Sequence, residues 1–253
     1  MSLRITLAVA ARVLTQLRRD HRTLAIMLVL PCLILSLLWW MFDEADPTGR
    51  GFEALGPSLL AVIPFIVMFL VTSVTTLRER SSGTLERLLA MPTGKGDLLG
   101  GYALAFGLLA TLQSSLAVLV SVTLLGLSVA GSVWVLVVVA VVNSVLGTAL
   151  GLFVSAFART EFQAVQFMPA LVIPQILLSG LFVPREAMPR VLEAVSDVLP
   201  LSYAVDAMRG VASTTGTALG NVEGAMWGDL GVVVAFALAG LLLGAATLRR
   251  RTA

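Results

Sequence analysis

Residues 102–157 read YALAFGLLATLQSSLAVLVSVTLLGLSVAGSVWVLVVVAVVNSVLGTALGLFVSAF, 56 consecutive positions without an Asp, Glu, Lys or Arg. A helix needs about 20 apolar residues to cross the hydrocarbon of a bilayer. This stretch therefore has room for two crossings, 102–127 and 132–157, and the short Ser-Val-Ala-Gly segment at 128–131 turns the chain between them. The two form a tight antiparallel hairpin. Working outward, four more windows have span length and no charge at their centres: 23–42, 57–77, 163–183 and 229–248.

Composition agrees. Of 253 residues, 58% are hydrophobic and 13% charged, and the mean hydropathy is +0.96. Soluble domains carry about a quarter charged residues, which they need to coat their surface. Lipid must solvate much of this chain. The expected fold is all-α: one transmembrane domain over 1–253 with six spans, an N-terminal amphipathic helix in the membrane interface, a cytoplasmic helix between the second and third spans, and re-entrant external helices after the fifth.

Lys and Arg in the connections set the orientation. Arg4, Arg12, Arg18, Arg19, Arg22, Arg78, Arg80, Arg87, Lys95, Arg159, Arg249, Arg250 and Arg251 fall on one side. Only Arg50, Arg185, Arg190 and Arg209 fall on the other, with ten of the fifteen carboxylates. Thirteen against four puts both termini in the cytoplasm. The basic residues lie between apolar runs, so they serve topology; nucleic acid is not an expected partner. The first apolar run follows five arginines, is about 20 residues long and lacks a closely following A-x-A-like site, which favours a retained span over a cleaved signal.

Reactive groups are few. Cys32 is the one cysteine and His21 the one histidine, which excludes a disulfide framework and argues against thiolate or His-cluster metal sites and a Ser-His-Asp triad. Gly94-Lys95-Gly96 lacks the upstream glycine and the Ser/Thr of a phosphate-binding loop. If transport uses ATP, the ATPase, with its ATP and Mg, belongs to another chain; no cofactor is expected in this one.

Residues 78–101 are a basic connection containing Leu85, Leu88 and Leu89 at i, i+3 and i+4, one apolar face of a short helix. Met91-Pro92, Gly94 and Gly96 end it. Such a helix either rests on the bilayer surface or docks into a groove on a soluble partner. The N-terminal segment sets Leu3, Leu7, Val13, Leu14 and Leu17 among arginines, the pattern of a helix lying in the interface. Residues 184–228 contain no apolar run of span length. Pro169 and Pro174 each remove a backbone donor from the fifth span; breaks at membrane depth are tolerated where a helix packs in protein or lines a cavity.

Two stretches carry a resemblance. Arg78-Glu79-Arg80, then Gly83-Thr84-Leu85-Glu86-Arg87-Leu88-Leu89 and Pro92, resemble the cytoplasmic loop of ABC-2 type permeases, the membrane subunits of exporters of the drug-resistance and ABCG-like class. Pro169, Pro174, Leu178-Ser179-Gly180, Phe182, Pro184, Met188-Pro189 and Leu199-Pro200-Leu201-Ser202-Tyr203 resemble that family's fifth span and its re-entrant helices. The resemblance implies that Gly83, Thr84, Leu85, Glu86, Arg87, Leu88 and Leu89 form a coupling helix for an ABC ATPase subunit. It also implies a second permease subunit, identical or homologous, and a bacterial inner-membrane location. Helical stripes supply the pathway candidates: Phe65, Met68, Phe69, Thr72 and Thr76 on the second span, and Gln163, Gln166, Pro169 and Pro174 on the fifth. For each, interhelical packing is the competing reading. Asn143, Gly147 and Gly151, and Gly240 with Gly244, are read as packing faces.

The expected function is export of a hydrophobic or amphipathic drug, lipid or peptide. The connection at 43–56 is short, so the large external domain of some relatives of that family is not expected; aromatics make up only 7% of the chain, which disfavours a polysaccharide. An ion-coupled carrier is the alternative; such carriers usually place charges within their spans, and here the span centres hold Gln, Asn, Ser and Thr. An intramembrane enzyme would need positioned acids or bases, which the spans do not offer.

Overall fold

The computed structural model of the chain describes residues 2–45, 50–82, 94–158, 160–213 and 224–247. They form α1 (Leu3–Arg19), α2 (His21–Ala45), α3 (Arg50–Ser81), α4 (Lys95–Thr123), α5 (Val133–Ser155), α6 (Glu161–Leu178), a 3-10 turn (Arg185–Ala187), α7 (Arg190–Ser196), α8 (Pro200–Ser213) and α9 (Gly224–Thr247). The fold is all-α, and α2, α3, α4, α5, α6 and α9 are long and apolar enough to cross a membrane.

The helices overrun several of the expected spans. α3 has 32 residues, about 48 Å at 1.5 Å per residue, against the roughly 30 Å of a hydrocarbon core. It begins seven residues before Pro57 and runs through both Pro57 and Pro64. α4 begins at Lys95 instead of 102, because the Asp97 carboxylate accepts the Gly94 N–H at 3.2 Å and caps the new end. The connection expected over 78–101 is thereby cut to the residues between Ser81 and Lys95. α6 is likewise not broken by Pro169 and Pro174: it continues through both to Leu178. The remaining helices of the following segment, α7 and α8, have 7 and 14 residues, too few to span.

The core is built on α3, which is buried along most of its length and packs most extensively against α5. The two run in the same direction and advance four residues per step: the Asn143 side-chain amide donates to the Ala61 carbonyl, Gly147 sits over Phe65 and Gly151 over Phe69. Pro64 has no N–H to give the Leu60 carbonyl, yet α3 runs through it as continuous helix. Donors from outside reach neighbouring carbonyls of α3: Asn143 of α5 at Ala61, and Gln113 of α4 at Pro64, 3.4 Å away. Ser114 and Ser144 close the α4–α5 contact, Oγ to Oγ at 2.6 Å. The packing face expected on Asn143, Gly147 and Gly151 is therefore the seam of the bundle. Gly240 and Gly244 of α9 lie at ordinary contact distance from Ala149 and Phe153 of α5.

A side chain at Gly147 has nowhere to go: its Cβ would stand 2.5 Å from the Phe65 carbonyl oxygen, which is backbone and cannot swing aside. Gly147→Ala is expected to cost about 1–3 kcal/mol, the usual range for overpacking. Gly107→Ala, where a Cβ meets nothing within 4 Å, should cost nothing or gain up to about 1 kcal/mol of helix propensity. Unfolding both variants in mixed detergent micelles checks the contrast.

Candidate functional site

The ends of the bundle differ in chemistry. At one, here the basic end, α1 packs against α4. Its buried face is Thr6, Val9, Ala10, Val13 and Leu17, and Val9 comes so close to α4 that only glycine fits at Gly101, where a Cβ would be 2.5 Å from Val9 Cγ1. Of the leucines expected to form one apolar face, Leu17 packs inward while Leu3 and Leu7 stay exposed.

α1 is also fastened by charge. Arg12 donates to the Glu79 carboxylate at 2.9 Å, and the Tyr102 hydroxyl donates to the same oxygen. Glu79 is 3% exposed, three residues before the end of α3's stem at Ser82. Across the connection, the Ser2 N–H donates to Asp97 at 2.6 Å. One helix thus ties down both stems of the 83–93 connection, through Glu79 on α3 and Asp97 on α4. Arg78 makes a two-pronged pair with Glu161 of α6, at 3.0 and 3.1 Å, and Arg80 donates to the Ser155 carbonyl at the end of α5. The exposed Arg78 pair adds little stability; its geometry joins α6 to the same stem. Between α1 and α2 only Asp20 intervenes. Its carboxyl is held below the usual range by the Thr23 hydroxyl, which donates at 2.7 Å, and by the Thr23 N–H at 3.2 Å.

Sequence reasoning missed Glu79 because the second span was ended at Leu77. Continued by one turn, the stripe Met68, Thr72, Thr76 reaches Glu79 at the next i+3 position, so the signal for an inward carboxylate was present.

The seven expected coupling residues, Gly83 to Leu89, lie outside the described residues. The pathway candidates separate into two groups. Phe65, Met68, Phe69, Thr72 and Thr76 are buried inside the protomer, Phe65 and Phe69 in the α5 seam. The stripe α3 leaves half open is Ile66, Leu70 and Val74. Gln163, Gln166, Pro169 and Pro174 are all exposed on α6, whose packed side is Ala164, Val172 and Gln175. Thr160 caps this helix by accepting the Gln163 N–H at 3.2 Å.

At the far end the 3-10 turn, α7 and α8 fold back onto the bundle. Arg185 donates to Asp206 at 2.5 Å and to Asp197, and lies 5.1 Å over the Tyr203 ring. Burial pushes the Asp206 carboxyl above its ordinary value, with Arg185 opposing. Ser196 and Ser202 both donate to the Leu178 carbonyl where α6 ends, at 2.7 and 3.3 Å. Arg209 donates to Ser58 of α3 at 2.7 Å, fixing α8 to the core.

Cavities are small or shallow. The hollow lined by Thr76, Arg80, Leu98, Tyr102 and Ser155 holds ≈ 20 Å³, far below the 300 Å³ or so of a typical ligand pocket. A depression of ≈ 310 Å³ at the far end opens between Trp39, Phe52 and Leu125.

A family model described as ABC-2 type transporter matches residues 5–212. The chain is similar to a probable multidrug ABC transporter permease, YbhS, of Escherichia coli, 27% identical over 192 residues, covering 68% of this chain and 51% of that one. It is similar to a second such permease, YbhR, 31% identical over 150 residues, 59% of this chain and 41% of that one. ABC transporter G family member 20 of Dictyostelium discoideum is 25% identical over 166 residues, 66% of this chain and 23% of the relative. The chain thus spans about half or less of the length of these relatives.

Proposed function

The chain belongs to the ABC-2 type transporter family, and on that premise we propose that it is the membrane permease subunit of an ATP-driven exporter, a single transmembrane domain over 1–253 working as a pair. ATP and Mg are bound by a separate ABC ATPase subunit, and the 83–89 segment delivers its motion to the spans. The basic end faces the cytoplasm, in the inner membrane of a bacterium. The cargo is a hydrophobic or amphipathic drug, lipid or peptide.

The observation that carries this reading is the placement of Gln163, Gln166, Pro169 and Pro174 on the exposed side of α6. Amide side chains facing lipid are unfavourable. A second copy, or a homologous permease, set against α6 would cover that face and enclose a cavity between subunits. The half-open Ile66, Leu70 and Val74 of α3 would extend its wall. The buried Phe65, Met68, Phe69, Thr72 and Thr76 would then support the wall from behind without touching cargo. A wall of amides, prolines and aliphatics has no charge, which suits an uncharged or amphipathic cargo.

Purification of the tagged chain in mild detergent tests the reading. The expected result is a complex of two permease copies with two ATPase copies by mass photometry, and ATP hydrolysis that vanadate stops. Gradient-driven transport by the chain alone in liposomes would overturn it in favour of the ion-coupled carrier.

A further inference from the structure

Among the described residues, none covers the outer side of α1, where Leu3 and Leu7 are exposed. At 100° per residue, Leu3, Leu7 and Leu14 fall within about 40° of one another, beside the face packed on α4. Arg18 and Arg4 follow within the next 60° or so, and Arg19 lies beyond them. Leu3 is 75% and Leu7 49% exposed; Arg4, Arg18, Arg19 and Arg22 are exposed as well. The four ion pairs among the described residues use Arg12, Arg78 and Arg185 and leave these arginines out.

Depth is fixed too. Asp20 alone separates α1 from α2, so α1 must lie at the level where the first span enters the bilayer. Its contacts with Gly101 and Asp97 lay it along α4's first turns. A leucine strip at that depth, bordered by arginines, has the amphipathic form of an interfacial helix. Leucines reach the acyl boundary, and arginine stems run along it while their guanidiniums stay among headgroups.

We propose that the Leu3–Leu7 strip of α1 with Arg4, Arg18, Arg19 and Arg22 is a binding surface for anionic phospholipid headgroups of the leaflet at the basic end. Charge complementarity selects the occupant: four cations without ion-pair partners among the described residues, beside exposed leucines, match phosphates above acyl chains. Each arginine near an anionic leaflet strengthens association by roughly a factor of five. Because α1 also holds Glu79 and Asp97, such lipids would press on the element that fastens both stems of the 83–93 connection. The inference rests on the spans and on α1, and stands apart from the ATP-driven reading.

The test uses the full chain in nanodiscs of phosphatidylcholine alone or with 30% phosphatidylglycerol. A Cys32→Ser background carries an environment-sensitive fluorophore at Leu7→Cys. With phosphatidylglycerol, emission should shift to the blue and quenching by aqueous iodide should fall several-fold. Arg4→Gln with Arg18→Gln and Arg19→Gln should return quenching to the neutral-disc level, and the three Lys replacements should keep the protection. Equal quenching in the two lipids would overturn the proposal. So would protection that develops only when the ATPase subunit is added, which would assign the strip to a protein contact.

Discussion

Leu85→Asp combined with Leu88→Asp is expected to abolish substrate-stimulated ATP hydrolysis by the purified complex while leaving the six-span bundle folded. The two leucines lie three apart in sequence, on one face of the short helix that the spacing predicts. An apolar helix seated in a groove on a partner gains its affinity from such anchors. Two carboxylates there would have to be desolvated against that groove, at a cost of several kcal/mol. The described stems are held by contacts outside the altered segment: α3 through Glu79 and Arg80, and α4 through Asp97. The double variant should keep its circular dichroism and lose its response to cargo. Full stimulation in the variant would remove the 83–89 segment from the coupling role.

Arg12→Leu is expected to destabilise the bundle by about 3 kcal/mol, the lower end of the range for stripping one partner from a buried ion pair. The lower end applies because the Arg12 side chain keeps 31% of its exposure while that of Glu79 keeps 4%. What makes the loss large is the carboxylate left behind, enclosed by α1, α3 and α4 with the Tyr102 hydroxyl still donating to it. Arg12→Leu with Glu79→Leu removes the stranded charge and should recover most of the loss, short of about 1 kcal/mol for the hydrogen bond that Tyr102 no longer makes. Adding Tyr102→Phe should recover that as well. Titration with sodium dodecyl sulfate, followed by tryptophan fluorescence, measures all three. Equal stability of the single and double variants would mean that the pair is solvated in the folded state, contrary to its burial.

The spans were legible because charge is excluded from hydrocarbon so strongly that its absence over twenty residues leaves few alternatives. The ends were less legible, since helices continue past the hydrocarbon wherever something caps or buries them. α4 gains its first turn from Asp97, and α3 its last from the burial of Glu79. Neither cause is visible in hydropathy. The fifth span was expected to break at Pro169 and Pro174, yet α6 runs through both. Of the candidate site, periodicity found the inward stripe of α3 but could not tell a wall from a seam. That distinction depends on which neighbour arrives, and α5 arrives with glycines. The outward stripe of α6 emerged as a stripe because no other described element of the protomer covers it.

The glycine seam has a mechanical meaning. At the closest points of α3 and α5, Phe65 and Phe69 present main-chain atoms to Gly147 and Gly151, so backbone meets backbone there and leaves little room for one helix to slide past the other. The two helices form a keel. Within one protomer the outer helices are held by less of their surface: in their most apolar windows α2 and α6 are 17% buried and α9 is 22%, against 72% for α3 and 67% for α5. A stroke arriving at the base of α3 would therefore tilt the keel as a whole and swing the outer helices around it, as a hull turns with its planking.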